Sequence, residues 1–204
     1  MICQGRPVDS RFLTMLFIVF FTFVATGCAK SGATKWAALP VQIYADQSIV
    51  NTPQAQQDLQ DAMTFWEQKA GKTLFDYKGV WSGAQPFTGT PDAPGTINAN
   101  VIFFQNPWPV SQNVIGQTIV NSVSTEIQHA MIMINPDAAF CPGDCAGEPQ
   151  LNSSRKNLTH ELGHFLGLSH VQDVNNVMYP VMQPGGTLDA VTIDQVALMD
   201  LVSP

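Results

Sequence analysis

The chain has 204 residues, of which 45% are hydrophobic and 12% are charged, and its formal net charge is -7. This length fits one domain, large enough to bury a hydrophobic core that does not depend on a metal or on cross-links. The acidic balance and the scattered basic residues exclude a nucleic-acid partner, because neutralising phosphates requires clustered Lys or Arg.

The N-terminus has the features of an export signal. Arg6 and Arg11 precede an apolar run over residues 12–24, and small residues stand directly before Cys28. The run is shorter than the roughly 20 residues that a transmembrane helix needs, which favours a signal peptide over residues 1–27. An ordinary secreted protein cleaved nearby is the alternative, and both interpretations export the chain.

The end of this signal, Ala25-Thr26-Gly27-Cys28, resembles the lipobox of bacterial lipoproteins. The resemblance implies cleavage before Cys28, diacylation of its thiol, and a lipid anchor that holds the protein to a membrane of the bacterial cell envelope. Residues 28–39 then predict a short tether ahead of a folded domain over residues 40–204.

Sequence periodicity predicts the secondary structure of this domain. Alternating or apolar runs predict strands at 41–45, 101–104, 116–123 and 130–134. A helix is predicted from Pro53, with Thr52 as its N-cap and Gly71 as its stop. The Gly- and Pro-rich segment 79–100 predicts a strand end followed by a long loop.

The C-terminal part of the chain predicts two further helices. Ser153 or Ser154 can cap a helix that runs to Leu166, and Gly167 stands where a left-handed terminating residue is expected. The sequence Thr192-Ile-Asp-Gln195 predicts a capping box at the start of a final helix. Strands followed by helices indicate an α+β fold.

Cysteine usage agrees with export. Cys28 would be consumed by lipid, and the signal removes Cys3, which leaves Cys141 and Cys145 around the turn-forming Pro-Gly-Asp. In an oxidising compartment this spacing favours a small disulfide loop. A redox pair and a pair of metal ligands are the alternatives.

The segment His160-Glu-Leu-Gly-His164-Phe-Leu-Gly-Leu-Ser-His170 contains three of the four histidines of the chain. On a helix, positions 160 and 164 differ by about 40° and one turn, so both imidazoles can reach one zinc ion. Gly167 would end the helix and let His170 return to the same metal as a third ligand. Three ligands leave a position open for water, as in catalytic zinc sites.

Glu161 lies beside these ligands, and we expect it on the exposed side of the helix, where it can contact a zinc-bound water without being a ligand itself. The alternatives for the motif are surface histidines or a closed structural site. No fourth Cys or His follows at ligand spacing, which favours the catalytic site.

The motif H-E-x-x-H-x-x-G-x-x-H, followed by Asn176-Val-Met178-Tyr-Pro180, resembles the metzincin clan of zinc endopeptidases, and matrixins most closely. The resemblance implies one catalytic Zn²⁺ bound by His160, His164 and His170, with Glu161 as general base. Met178 would lie in a tight turn beneath the metal. Nothing in the sequence supports an additional structural Ca²⁺.

The resemblance also implies a metzincin-like zincin fold: a twisted mixed β-sheet, an active-site helix, the Met-turn and a C-terminal helix. It divides the domain into an N-terminal subdomain, 40–170, and a C-terminal subdomain, 171–204, and it makes 180–186 a wall of the pocket beyond the scissile bond. An extended substrate is expected beside an edge strand. The candidate residues for this edge are Gly116, Gln117, Thr118, Ile119 and Val120.

Together these features predict a secreted or lipid-anchored zinc endopeptidase that acts on protein or peptide substrates as a monomer. A non-catalytic, zinc-folded surface or adhesion lipoprotein is the alternative from another class, and Glu161 argues against it. A cell-wall peptide amidase would use the same zinc chemistry.

Overall fold

The computed structural model describes residues 33–83, 99–145, 147–182, 188 and 191–203. The expected signal peptide and Cys28 lie outside these ranges. The strands are β1 Lys35–Trp36, β2 Val41–Ala45, β3 Phe75–Val80, β4 Val101–Phe104, β5 Gly116–Val123, β6 Glu126–Ile134, β7 Phe140–Cys141 and β8 Asn152–Ser153. The helices are α1 Pro53–Ala70, α2 Ser154–Leu166 and α3 Gln195–Val202.

The main sheet is mixed, in the order β1-β6-β4-β2-β3, with β5 added beside β6. All its pairs are parallel except β5 with β6, which is antiparallel. Among the described strands β5 pairs only with β6, so its other side is a sheet edge. The α+β class and the mixed sheet predicted from the sequence are therefore confirmed.

The sheet has a core on each face. On one face the three helices pack against alternating strand residues such as Ile43, Ile102 and Ile132. The centre of this core is Trp66 of α1, which is fully buried and donates its indole N–H to the carbonyl of Thr159 in α2 at 2.8 Å. This contact fixes the distance between α1 and the helix that carries the histidines.

The second core occupies the opposite sheet face. Met131 and Met133 of β6 point to this side together, as strand alternation predicts, and they pack with Phe103 and Trp108. Ile119 of β5 belongs to the same cluster. The two faces of β5 therefore have different surroundings: Ile119 lies in the second core, and Val120 packs against the first.

The first two helices begin and end where the sequence predicts. Thr52 caps α1 by accepting the N–H of Ala55 at 3.1 Å, and Gly71 ends the helix at a φ of 67°. Ser153 caps α2 by accepting the N–H of Lys156 at 3.0 Å. These side chains replace hydrogen bonds that the first turn of a helix lacks.

The predicted capping box of the last helix is wrong. The N-cap of α3 is Asp194, whose carboxylate accepts the N–H of Ala197 at 2.9 Å. The hydroxyl of Thr192 instead donates to Asp173 at 3.1 Å, in the loop that follows the histidine motif. Thr192 thus links that loop to the segment before α3 and does not cap the helix.

The folded structure begins earlier than the expected boundary at residue 40. Lys35 and Trp36, placed in the predicted tether, form β1 and pair with Glu126 and Ile127 of β6. The Trp36 indole donates to the carbonyl of Phe165 at 2.7 Å, and its ring packs on the Phe165 ring at 5.1 Å between centroids. The end of the proposed tether is thus part of the domain, because an aromatic anchor outweighs a flexible composition.

Cys141 and Cys145 form the predicted disulfide, with their Cα atoms 5.2 Å apart. The loop that they close lies against Asp58 of α1, a buried carboxylate that accepts the N–H of Gly143 at 3.0 Å. Asp58 also accepts the hydroxyl of Ser154 at the start of α2. One carboxylate therefore ties the disulfide loop and the first turn of α2 to α1.

Within the described ranges, no helix combines the length and the apolar character that crossing a bilayer requires.

Candidate metal and catalytic site

The three motif histidines converge on one point. The Nε2 atoms of His160 and His164 are 3.2 Å apart, and the Nε2 atom of His170 lies 3.0 Å from that of His164 and 3.3 Å from that of His160. Bonds of 2.0–2.1 Å at tetrahedral angles would separate ligand nitrogens by about 3.4 Å. The observed triangle is close to that size, so the donor set fits a zinc ion.

Hydrogen bonds from the opposite ring nitrogens set the tautomers of two ligands. Nδ1 of His160 lies 2.6 Å from the carbonyl of Val177, and Nδ1 of His164 lies 2.7 Å from the carbonyl of Leu168. A carbonyl can only accept, so each Nδ1 carries the proton and donates it. Each Nε2 is then left with a lone pair, which is the form that binds a metal.

Electrostatics favour a cation at this point. Burial lowers the pKa of His160 to about 4, and it also lowers the pKa values of His164 and His170. The lowered pKa values favour neutral rings, and three Nε2 atoms meet at one point, where a neutral imidazole can bind a metal cation through its lone pair. Among the described residues this is the cluster of His, Cys, Asp or Glu that could hold a metal.

Glu161 is buried, which corrects the expectation that it lies on the exposed side of the helix. Its side chain turns towards β5, where its Oε2 atom accepts the hydroxyl of Thr118 at 2.7 Å. Burial raises the pKa of the Glu161 carboxyl to about 7, and the Thr118 hydrogen bond acts in the opposite direction. A carboxyl with such a pKa is suited to exchange protons near neutral pH.

The Met-turn lies directly against α2, as the resemblance implies. Met178 is buried, and its sulfur packs on Gly163, between the first two histidines. A Cβ at Gly163 would collide with this sulfur and would lie 2.8 Å from the Trp66 ring. Asn176 holds the turn, since its side-chain oxygen accepts the N–H of Met178 at 2.9 Å.

The histidines open into a cleft of about 930 Å³. One wall is β5, from which Gly116, Gln117, Thr118 and Val120 line the cleft. The side chain of Ile119, the fifth residue proposed for this edge, points to the other face and is buried in the second core. Any contact of Ile119 with a substrate would therefore involve its backbone.

The segment after the Met-turn borders the same cleft. Pro180, Val181 and Met182 line it, while the rest of the predicted wall, 183–186, lies outside the described residues. Asp173, the nearby carboxylate, is a loop residue that accepts the N–H of Asn175 at 2.9 Å. It is not part of the metal-binding cluster.

Sequence reasoning missed Asn157, and it placed Gly116 at the substrate edge without foreseeing its contact with the base. Gly116 leaves space for the base, because a Cβ there would lie 2.7 Å from Oε1 of Glu161. Asn157 is buried one turn before Glu161 and lines the cleft. The sequence signal for Asn157 was a polar residue at a helix position that otherwise faces the core. The role of Gly116 had no such signal, because it depends on a contact between distant elements.

A comparison with protein families matches the matrixin model over residues 54–199, which is more than half of the chain. The match spans nearly all of α1, the strands from β3 to β8, the three histidines and most of α3. A search of curated proteins found no match. Geometry and family agree on a zinc-dependent peptidase site, and the chain belongs to the matrixin family of metalloendopeptidases.

Proposed function

We propose that this protein is a zinc endopeptidase in which His160, His164 and His170 hold the metal and Glu161 is the general base. The observation that carries the proposal is the triangle of Nε2 atoms, 3.0–3.3 Å apart, beside a buried carboxylate in an open cleft. A structural zinc site would close the fourth position, whereas this cluster has three ligands in the described residues.

The chemistry divides between the metal and the protein. His160, His164 and His170 would hold a zinc ion, which would lower the pKa of a bound water and polarise a carbonyl. Glu161 accepts the proton of the attacking water and donates it to the nitrogen of the leaving amine, first as base and then as acid. The Nδ1 hydrogen bonds to Val177 and Leu168 keep the histidines oriented throughout.

The substrate would bind as an extended chain along the free side of β5. Unpaired N–H and C=O groups of an edge strand bind the backbone of any peptide, and neighbouring pockets select side chains. Pro180, Val181 and Met182 border the cleft, and their apolar side chains support a hydrophobic preference on that side. These features favour peptides over small-molecule substrates.

The activity test uses the purified chain and a quenched peptide library. Hydrolysis is expected, with loss after chelation and recovery on adding one equivalent of zinc, because the ligand set holds one ion. Digestion of purified peptidoglycan, measured in parallel, separates an endopeptidase from a cell-wall amidase. Full zinc occupancy without cleavage of any substrate would show a non-catalytic zinc-folded protein instead.

We further propose export and lipid attachment at Cys28, on the strength of the N-terminal signal and the residues that precede this cysteine. Expression in a bacterium with labelled palmitate should give a labelled protein in the membrane fraction. Cys28→Ser should lose the label. A labelled Cys28→Ser protein, or an unlabelled wild type released into the medium, contradicts the anchor.

A further inference from the structure

The side chain of Glu161, the proposed base, is held by a residue of the edge strand β5. The hydroxyl of Thr118 lies 2.7 Å from Oε2 of Glu161 and 3.0 Å from the backbone carbonyl of the same residue. A hydroxyl has one proton to donate, and a charged acceptor takes it in preference to a carbonyl. The hydrogen bond is therefore directed at the carboxylate.

A second residue of the same strand completes the arrangement. Gly116 is two positions before Thr118 and faces the same side, and its missing Cβ leaves room for Oε1 of Glu161. Both oxygens of the carboxylate thus lie close to β5: Oε2 accepts the Thr118 hydroxyl, and Oε1 lies beside Gly116. Glu161 is 3% exposed, so surrounding water contributes little to its orientation.

We propose that Thr118 is a positioning residue for the reaction, acting through Glu161. Its hydroxyl fixes the rotation of the carboxyl group, so that Oε2 is occupied and Oε1 is the oxygen that exchanges protons with the attacking water. This inference rests on the proposed peptidase function. It also links substrate and base physically, because the strand expected to bind the peptide backbone carries the hydroxyl that orients the base.

The test compares Thr118→Val, which keeps the branched shape and loses the hydroxyl, with Thr118→Ser, which keeps the hydroxyl. Thr118→Val is expected to lower kcat by about 10- to 100-fold, as loss of supporting hydrogen bonds does at metal sites, with KM within about twofold. Thr118→Ser should retain kcat within about threefold. Thr125→Val, at the exposed turn between β5 and β6, is the matched control.

Zinc content and thermal unfolding are measured for each variant. An unchanged kcat in Thr118→Val overturns the proposal. It is equally overturned if Thr118→Ser falls as far as Thr118→Val, since shape rather than the hydroxyl would then matter. A rise in KM alone would assign Thr118 to substrate binding and also overturn a positioning role.

A second measurement separates this proposal from the activity itself. Thr118→Val, Glu161→Ala and the double variant are unfolded with denaturant in the metal-free form. If the hydroxyl binds the carboxylate, Thr118→Val lowers the unfolding midpoint more in wild type than in the Glu161→Ala background. Additive shifts overturn the contact. An inactive wild type with clear coupling would refute the peptidase function while the contact stands.

Discussion

Glu161→Gln is expected to lower the rate of peptide hydrolysis by about 10²- to 10⁴-fold, the usual contribution of a positioned acid or base. Zinc should stay bound, since the three histidines supply the ligands. Glutamine has nearly the same shape and can still accept the Thr118 hydroxyl, so the loss isolates proton transfer. Steady-state kinetics and metal analysis measure the two effects, and near-normal turnover by a fully loaded variant would exclude Glu161 as the base.

The same substitution is expected to stabilise the metal-free protein. Glu161 has a folded-state pKa of about 7 against an ordinary value of 4.5, so between these pH values the unfolded chain releases a proton that the folded chain keeps. Stability of the wild type therefore falls as pH rises through this window. Above pH 7, the free energy of unfolding of Glu161→Gln should exceed that of the wild type by up to about 3 kcal/mol. Below pH 4.5 the difference should vanish, and a pH-independent difference would argue against the raised pKa.

Gly167→Ala is expected to destabilise the domain by about 3 kcal/mol or more and to impair metal binding. Gly167 has a φ of 106°, which L-residues rarely adopt, and a Cβ there would collide with the backbone carbonyl of Thr34. Relief requires moving the segment before β1 or the turn that leads to His170. Denaturant unfolding and zinc titration measure the two consequences.

Gly71→Ala is the matched control, because Gly71 also ends a helix in the left-handed region, at a φ of 67°. A Cβ there meets nothing within 4 Å. The control should cost only the left-handed strain, about 1 kcal/mol. Equal losses of stability in the two variants would show that the contact with Thr34 does not contribute to the effect of Gly167→Ala.

The metal ligands were predictable because the residues that bring them together are close in the sequence. A helix and one turn bring His160, His164 and His170 together, and the motif spans eleven residues. The helix ends at Gly71 and Gly167 were predictable for the same reason, since each depends on a residue beside it. The confirmed strands and the disulfide between Cys141 and Cys145 likewise follow from short-range patterns.

The errors arise where distant contacts override local preference. Trp36 lies in a segment of flexible composition, but Phe165 anchors it from 129 positions away. Thr192 fits a capping box, but Asp173 takes its hydroxyl and leaves Asp194 to cap the helix. Glu161 was expected at the surface because a helix pattern does not show that β5 covers it; the strand is placed there by its pairing with β6.

The hydrogen bonds from His160 and His164 to backbone carbonyls also bear on the order of maturation. The rings are oriented by Val177 and Leu168, and the core around Trp66 is complete with protein atoms alone. The domain can therefore fold first and capture zinc afterwards, unlike small zinc fingers, whose chain collapses only around the ion.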